Sequence, residues 1–206
     1  MTDTDPIVFI VDDDDSVRKA LTRLIKSVDL NVETFASADD FLQRESHDGP
    51  ACLLLDIRMP GLSGLDLQDE LVAAGRTLPI IFISAHGNIP LSVRAMKAGA
   101  VDFIEKPFED QTLLDAINQS LKKDRQAKLE QAELREIQRR VDCLTVRERQ
   151  VFALVVSGKL NKQVAFELGT TERTIKAHRA RVMKKMQANS LADLIRLAEK
   201  VGTFLA

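Results

Sequence analysis

Aspartates 12, 13 and 56, Ser84 and Lys106 each follow a short apolar run. Val8-Phe9-Ile10-Val11 ends at Asp12-Asp13, Cys52-Leu53-Leu54-Leu55 at Asp56, and Ile80-Ile81-Phe82-Ile83 at Ser84. Val101-Asp102-Phe103-Ile104 leads through Glu105 to Lys106-Pro107. If the runs are parallel strands, their polar ends share the carboxyl edge of one sheet, where open α/β folds place their sites. Three carboxylates, a hydroxyl and an ammonium then converge on a shallow acidic pocket. Such a set suits a divalent metal and a phosphoryl group. Mg²⁺ (or Mn²⁺) takes oxygen ligands and keeps several waters, so one or two carboxylates with a backbone carbonyl suffice. The metal and Lys106 would keep the carboxylates ionised at neutral pH. An ionised Asp56 is a competent nucleophile toward phosphorus. Lys106 would offset charge on the phosphoryl oxygens, and Ser84 offers them a hydroxyl donor. The run Asp12 to Asp15 argues little alone, because acidic residues favour helix starts and solvated turns. Its meaning comes from Asp56, Ser84 and Lys106 at corresponding strand ends.

A second chemistry lies in residues 171–186, Thr-Glu-Arg-Thr-Ile-Lys-Ala-His-Arg-Ala-Arg-Val-Met-Lys-Lys-Met. On a helical wheel Ile175, Val182, Met186 and the stem of Arg179 fall on one side. Arg173, Ala177, Ala180 and Lys184 fall opposite, flanked by Lys176 and Arg181. A long cationic helix with small residues at the centre of its outer face fits the major groove of double-stranded DNA, since its backbone can approach base edges. A lone basic run is more often a solvated helix, but here a preceding helix and a short turn complete a helix-turn-helix.

The elements that must position these groups are legible. Residues 1–124 hold 12 Lys/Arg against 22 Asp/Glu, and residues 125–206 hold 17 against 9. An acidic front and a basic rear predict two modules, the rear one facing a polyanion. In the front, Ser16 or Asp15 is expected to cap a helix carrying Val17, Leu21, Leu24, Ile25 and Val28. Asn31 to Phe35 reads as a strand, and Ala38 to Gln43 as a brief helix with Phe41 and Leu42 inward. Ser63 is expected to cap a helix with Leu65, Leu67, Leu71 and Val72. A helix from Ile89 to Ala98 closes at Gly99, and another begins near Asp110. Five strand-helix alternations indicate α/β architecture with a five-stranded, doubly wound parallel sheet.

Residues 108–157 contain no Gly or Pro. The helical pattern runs on through Leu129, Leu134, Ile137 and Val141, which predicts an extended helix doubling as a linker. Its thin apolar stripe suits a solvated charged helix and a dimerising coiled coil about equally. Capping-box signals at Thr145-Val146-Arg147-Glu148 and Ser190-Leu191-Ala192-Asp193 then open short helices of a small all-α domain. Gly158 is expected to end the first and Asn161 to cap the second. Domain boundaries are drawn at residues 1–121, 122–141 and 142–206. Cys52 and Cys143 are far apart without metal-ligand spacing, which favours two reduced thiols. No run reaches membrane-spanning length and the opening Met1-Thr2-Asp3-Thr4-Asp5 is acidic, so a cytoplasmic protein without membrane contact is expected.

The front resembles the receiver domain of two-component response regulators, a flavodoxin-like fold. The resemblance rests on Val11-Asp12-Asp13, Leu55-Asp56-Ile57-Arg58-Met59-Pro60-Gly61, Ser84-Ala85, Met96-Lys97-Ala98-Gly99-Ala100 and Lys106-Pro107-Phe108. It implies that Asp56 accepts phosphate from a phosphohistidine of a sensor histidine kinase. Asp13, Asp56 and the Arg58 carbonyl would ligate Mg²⁺, with Asp12 acting mainly through water. It further implies a cis bond before Pro107, Lys106 on the phosphoryl group, and a switch in which Ser84 moves and Phe103 rotates inward. Asp14 and Phe103 stand where many or some relatives carry Glu and Tyr. His86 lies close to the pocket in a Gly-bounded loop and is not assigned a catalytic role.

The rear resembles the LuxR-type helix-turn-helix, through Leu144-Thr145-x-Arg147-Glu148, Gly158, Asn161-Lys162-x-Val164-Ala165, Thr174-Ile175-Lys176-x-His178 and Lys185-Met186. Asn161, Lys162, Thr174 and His178 would then serve backbone contacts or helix positioning. Lys176, Ala177 and Ala180 are the candidates for reading bases, with Arg173, Arg181 and Lys184 around them. A last helix carrying Leu191, Leu194, Ile195 and Ala198 would form dimers. Together the modules are similar to the FixJ/NarL class of transcriptional regulators. The expected protein is a phosphoacceptor rather than an enzyme acting on free substrate, although it takes part in its own phosphorylation and dephosphorylation. It would form a homodimer on phosphorylation, bind promoter DNA and have RNA polymerase as a further partner. One rival is a phosphohydrolase using Asp12-x-Asp14; another is a constitutive DNA-binding protein whose receiver acts only as a dimer scaffold.

Overall fold

The computed structural model describes residues 5–85 and 89–202; residues 1–4 of the acidic opening and His86 lie outside the described residues. The chain divides into two compact units, Met1–Lys128 and Leu129–Ala206. In the first, the order is β1 (Ile7–Val11), α1 (Asp15–Lys26), β2 (Asn31–Phe35), α2 (Ala38–Leu42), β3 (Ala51–Asp56), α3 (Gly64–Ala73), β4 (Ile80–Ser84), α4 (Ile89–Lys97) and β5 (Asp102–Glu105). Helix α5 (Asp110–Asp142) follows and runs on into the second unit. The strands are all parallel in the order β2-β1-β3-β4-β5. The doubly wound five-stranded sheet expected from the alternation is therefore present.

The continuous apolar runs have a simple origin, because both faces of the sheet are covered. Phe9, Val11, Leu53, Leu55 and Phe82 pack with Phe41 of α2, Leu67 and Leu71 of α3 and Ala95 of α4. Their neighbours Val8, Ile10, Cys52, Leu54, Ile81 and Ile83 point the other way, onto Leu21 and Ile25 of α1 and Leu113, Ile117 and Leu121 of α5. Each fully buried side chain of this size contributes about 1.5–3 kcal/mol, so both faces of the central strands stabilise the sheet. The buried Cys52 thiol has its pKa pushed up to about 12 by loss of hydration, while Cys143 is exposed, and both are free.

Local expectations need four corrections. The cap of α1 is Asp14, whose carboxylate accepts from the Ser16 and Val17 amides, rather than Ser16 or Asp15. Val28 lies past the C-cap of that helix and is exposed, as is Val72 on α3. Asn161 does not cap α7 (Asn161–Glu167); Leu160 holds that position, and its amide donates to the Gln163 side chain at 2.8 Å. Ser63, Thr145 and Ser190 do cap their helices, and Gly99, at φ 97°, closes α4 in the left-handed region.

The segment expected as a linker falls into both units. Asp124 is buried on α5, where its Oδ2 accepts from the Ala51 amide at 2.8 Å and from Lys128 Nζ at 3.0 Å. Ile137 and Val141, thirteen or more residues later, belong to the core of the second unit. Between them Leu129 and Leu134 are exposed. The rest of that unit is α6 (Val146–Val156), α7, α8 (Glu172–Met186) and α9 (Leu191–Lys200). Leu194 and Ala198 of α9 are buried in this same core. Of the four residues expected to form dimers, Leu194 and Ala198 are buried in this core by their i, i+4 spacing and Ile195 packs partly against it, while Leu191 is exposed.

Glu148 ties this unit together. It completes the capping box with Thr145, accepting the Thr145 amide at 3.0 Å, and accepts from Lys185 Nζ of α8 at 2.6 Å. The Lys185 ammonium, with help from the Thr145 amide, lowers the Glu148 pKa from 4.5 to about 2. The stability it supplies is therefore full above the ordinary glutamate pKa and is lost as pH falls through that depressed value. Glu148→Gln is expected to cost about 1–3 kcal/mol. Hydrogen–deuterium exchange on the full chain should then show faster exchange in α6 and α8 and no change in the sheet.

Candidate functional site: an acidic sheet edge and a basic helix

At the carboxyl edge, β1, β3 and the turn after β5 bring three groups together. Lys106 Nζ lies 3.1 Å from Asp12 Oδ2 and 3.4 Å from Asp56 Oδ1. All three side chains are largely buried, the aspartates more than the lysine. Burial removes the water that would screen these charges, so the ammonium holds two carboxylates that would otherwise repel. Asp56 Oδ2 also accepts the Arg58 amide at 2.7 Å, and Asp12 Oδ1 accepts the Asp14 amide at 2.9 Å. Arg18 Nη1 on α1 fastens the Asp12 carbonyl at 2.7 Å. Asp12 and Asp56 are thus each oriented by a neighbouring amide and by the ammonium.

Burial lifts the Asp56 carboxyl above the ordinary aspartate range; Asp12 adds to the effect, while the Arg58 amide and Lys106 oppose it. Ser84 closes β4 and is buried, as expected of a strand-end hydroxyl. Phe103 sits on β5, partly buried against the core, with its ring 6.5 Å from that of Phe82. The bond between Lys106 and Pro107 is cis. Asp13 differs from the rest: it is exposed, and among the described residues no three His, Cys, Asp or Glu side chains form a metal-holding cluster. The convergence of three carboxylates read from the strand ends is here a convergence of two. Arg58 is exposed, with its amide turned to Asp56.

One positioning residue left no signal in the strand-end pattern. Gly64 opens α3, and its amide donates to the Ile57 carbonyl at 3.0 Å. A Cβ at this position would collide with the Asp56 backbone carbonyl oxygen. Only glycine lets α3 start this close to the residue that ends β3. A glycine directly after the capping Ser63 was the available clue.

In the second unit, α8 starts at the cap Thr171 and buries Ile175, Val182 and Met186 as the helical wheel predicts. Arg173, Lys176, Ala177, Ala180, Arg181 and Lys184 are exposed. Asn161 Oδ1 accepts from Arg179 Nη1 at 3.1 Å, which fixes α7 against α8. The Thr174 hydroxyl lies 3.0 Å from that of Thr171, His178 is half-buried, and Lys162 is exposed on α7. The wheel did not reveal that Arg139 and Arg140, on the last turns of α5, line one groove with Arg181, Lys184 and Lys185. Glu136 lines the same groove and pairs with both Arg139 and Arg140. An Arg pair at the end of a long charged helix was the groove's only trace in the sequence.

Residues 8–118 match the response regulator receiver domain, and residues 142–198 match the bacterial regulatory proteins of the luxR family. Nodulation protein W of Bradyrhizobium diazoefficiens is 51% identical over 199 residues, covering 97% of this chain and 88% of that protein. A solved structure of the response regulator StyR covers 95% of this chain and 99% of its own, at 47% identity and a TM-score of 0.88. Full-length FixJ from B. japonicum covers 96% and 97%, at 40% identity and a TM-score of 0.56. Among the described residues no helix is long and apolar enough to cross a membrane. An acidic sheet edge that gathers Asp12, Asp56 and Lys106, a helix-turn-helix with an outward cationic face and likeness over nearly the whole chain lead to one conclusion: this protein belongs to the response regulators that join a receiver domain to a LuxR-type DNA-binding domain and regulate transcription in response to phosphorylation.

Proposed function

We propose that Asp56 accepts a phosphoryl group from the phosphohistidine of a sensor kinase, and that the phosphorylated protein binds promoter DNA through α8. The observation that carries this reading is the approach of Lys106 Nζ to both Asp12 and Asp56, within 3.4 Å. In the transfer, a carboxylate oxygen of Asp56 forms a bond to phosphorus as the phosphorus–nitrogen bond to the kinase imidazole breaks. Lys106 moves from the carboxylates onto a phosphoryl oxygen, and Ser84 donates its hydroxyl to another. Asp12 remains to balance the site.

The donor set fits a hard divalent cation. Asp12 and Asp56 offer oxygen only and both lie within reach of Lys106, and burial, with Asp12 alongside, raises the Asp56 carboxyl above its ordinary range, a cost that a bound cation would offset. Asp12, Asp56 and the Arg58 carbonyl would hold Mg²⁺ or Mn²⁺ with water completing the shell, and Asp13 would join on binding. The metal, when bound, supplies charge neutralisation at the phosphoryl oxygens.

Residues 1–121 serve in this reading as the phosphoacceptor, 122–141 as the helical connection and 142–206 as the DNA reader, acting in the cytoplasm. Dimerisation through α4 and β5 has support in an apolar stripe on α4, where Ile89, Val93 and Met96 are 80%, 44% and 45% exposed. Phe103 on β5, inward or outward, would report Asp56 phosphorylation to that face. A shift of a few kcal/mol between two states is enough for such control.

Incubated with a small phosphodonor and Mg²⁺, the protein should take up one phosphoryl group, mapped by peptide analysis to Asp56. Asp56→Asn should take up none; label on Asp12, or undiminished label in the variant, contradicts the assignment. The same variant tests the electrostatics. A carboxyl with an elevated pKa favours the folded state below the ordinary aspartate pKa, and that contribution is lost as pH rises through the lifted value. At neutral pH without divalent metal, Asp56→Asn should therefore melt a few degrees higher than the parent, with the gap narrowing in acid and on adding Mg²⁺. For DNA, Lys176→Ala should lower operator affinity by about 1–3 kcal/mol and relax sequence preference. Lys184→Ala should instead reduce the slope of log affinity against log salt by about 1, measured by fluorescence anisotropy.

A further inference from the structure

At the opposite edge of the sheet, away from Asp56, lies a cavity of about 250 Å³. It is lined by Phe9, by Arg44 and His47 from the segment after α2, by Arg76 before β4, and by Asp124 and Lys128 of α5. Its charge is unbalanced. Asp124 is already committed, accepting from the Ala51 amide and Lys128 Nζ, and Lys128 also donates to the Gly49 carbonyl. Arg44 and Arg76 have no such partner: neither forms a salt bridge among the described residues. Arg44 is stacked, its guanidinium carbon 3.9 Å from the Phe41 ring centre and 4.6 Å from that of Phe9. Among the described residues its one hydrogen bond is from Nη1 to the Phe41 carbonyl at 3.3 Å, and its Nε is buried without a partner. His47 lies edge-on to Phe9 at 6.2 Å, and its Nε2 is likewise buried and unpartnered.

A buried polar nitrogen without a hydrogen bond costs about 1–3 kcal/mol, so two in one cavity call for an occupant. Two guanidinium groups without a carboxylate call for an anion. Burial and the nearby Arg76 charge hold the Arg44 pKa below its ordinary value, with Glu33 acting weakly the other way. We propose that this cavity binds a small oxyanion, phosphate or dicarboxylate, which accepts from Arg44, Arg76 and His47. Planar guanidinium forks match such oxygens in pairs. The volume admits a compact anion and excludes a nucleotide, since sites for larger ligands run to about 300–1,000 Å³. The pocket shares no residue with the phosphoryl site, so the two can be tested separately.

Calorimetric titration of the full-length Asp56→Asn protein with inorganic phosphate and, separately, with succinate tests the proposal, chloride held constant. Saturable binding at one site per chain is expected for at least one of the two anions, and the arm that saturates identifies its class. Arg76 is exposed, and Arg76→Gln should leave the fold intact while weakening that binding at least tenfold. Arg44→Lys, which keeps the charge but loses the fork, should weaken it as well. Absence of saturation in both arms overturns the proposal. So does affinity unchanged by Arg76→Gln, or binding abolished by Lys106→Ala, which would place the anion at the acidic edge instead.

Discussion

The meeting of two carboxylates and one ammonium at the carboxyl edge constrains the rest of the receiver unit. Asp12 and Asp56 come from strands adjacent in the sheet, and Lys106 follows β5 on its far side. Holding like charges together in a poorly hydrated site is costly, and the neighbouring amides and the lysine only partly offset it. The fold bears this cost with a core in which both faces of the central strands are covered. A site of this kind is poised, since an added cation or phosphoryl group changes its electrostatic balance more than it changes its packing.

Orientation matters as much as charge. The Arg58 amide points at Asp56 because the turn after β3 folds back to let α3 begin, and Gly64 makes that beginning sterically permissible. Asp14 caps α1 while Asp12 receives the Asp14 amide, so the acidic run divides its work between helix initiation and the site. An acidic cluster read as one feature is two, separated by the direction each side chain takes.

The second unit solves a different problem. A cationic helix cannot bury its charges, so it is held by its apolar face and by pairings at its margins, Arg179 with Asn161 and Lys185 with Glu148. These contacts leave Arg173, Lys176, Arg181 and Lys184 exposed. Helix α5 contributes at both ends: Asp124 caps the start of β3 and Ile137 enters the second core. Its middle, with Leu129 and Leu134 exposed, belongs to neither core.

Local periodicity and punctuation were enough to establish much of this protein. Continuous apolar runs ending on polar residues implied the parallel sheet and put Asp12, Asp56, Ser84 and Lys106 at one edge of it, because strand direction dictates which ends meet. The 3.6-residue period likewise assigned the inner and outer faces of α8. Tertiary structure alone decided which candidates touch. It drew Asp12 and Asp56 onto Lys106 and left Asp13 in solvent, turned Leu194 and Ala198 inward, and buried Asp124 within what reads as a charged linker. It also gathered Arg44, His47 and Arg76 around one cavity, from segments with no shared pattern. The reason is physical: periodicity reports how a residue faces its own element, whereas pairing between distant side chains depends on how elements pack, and that is set by the whole core at once.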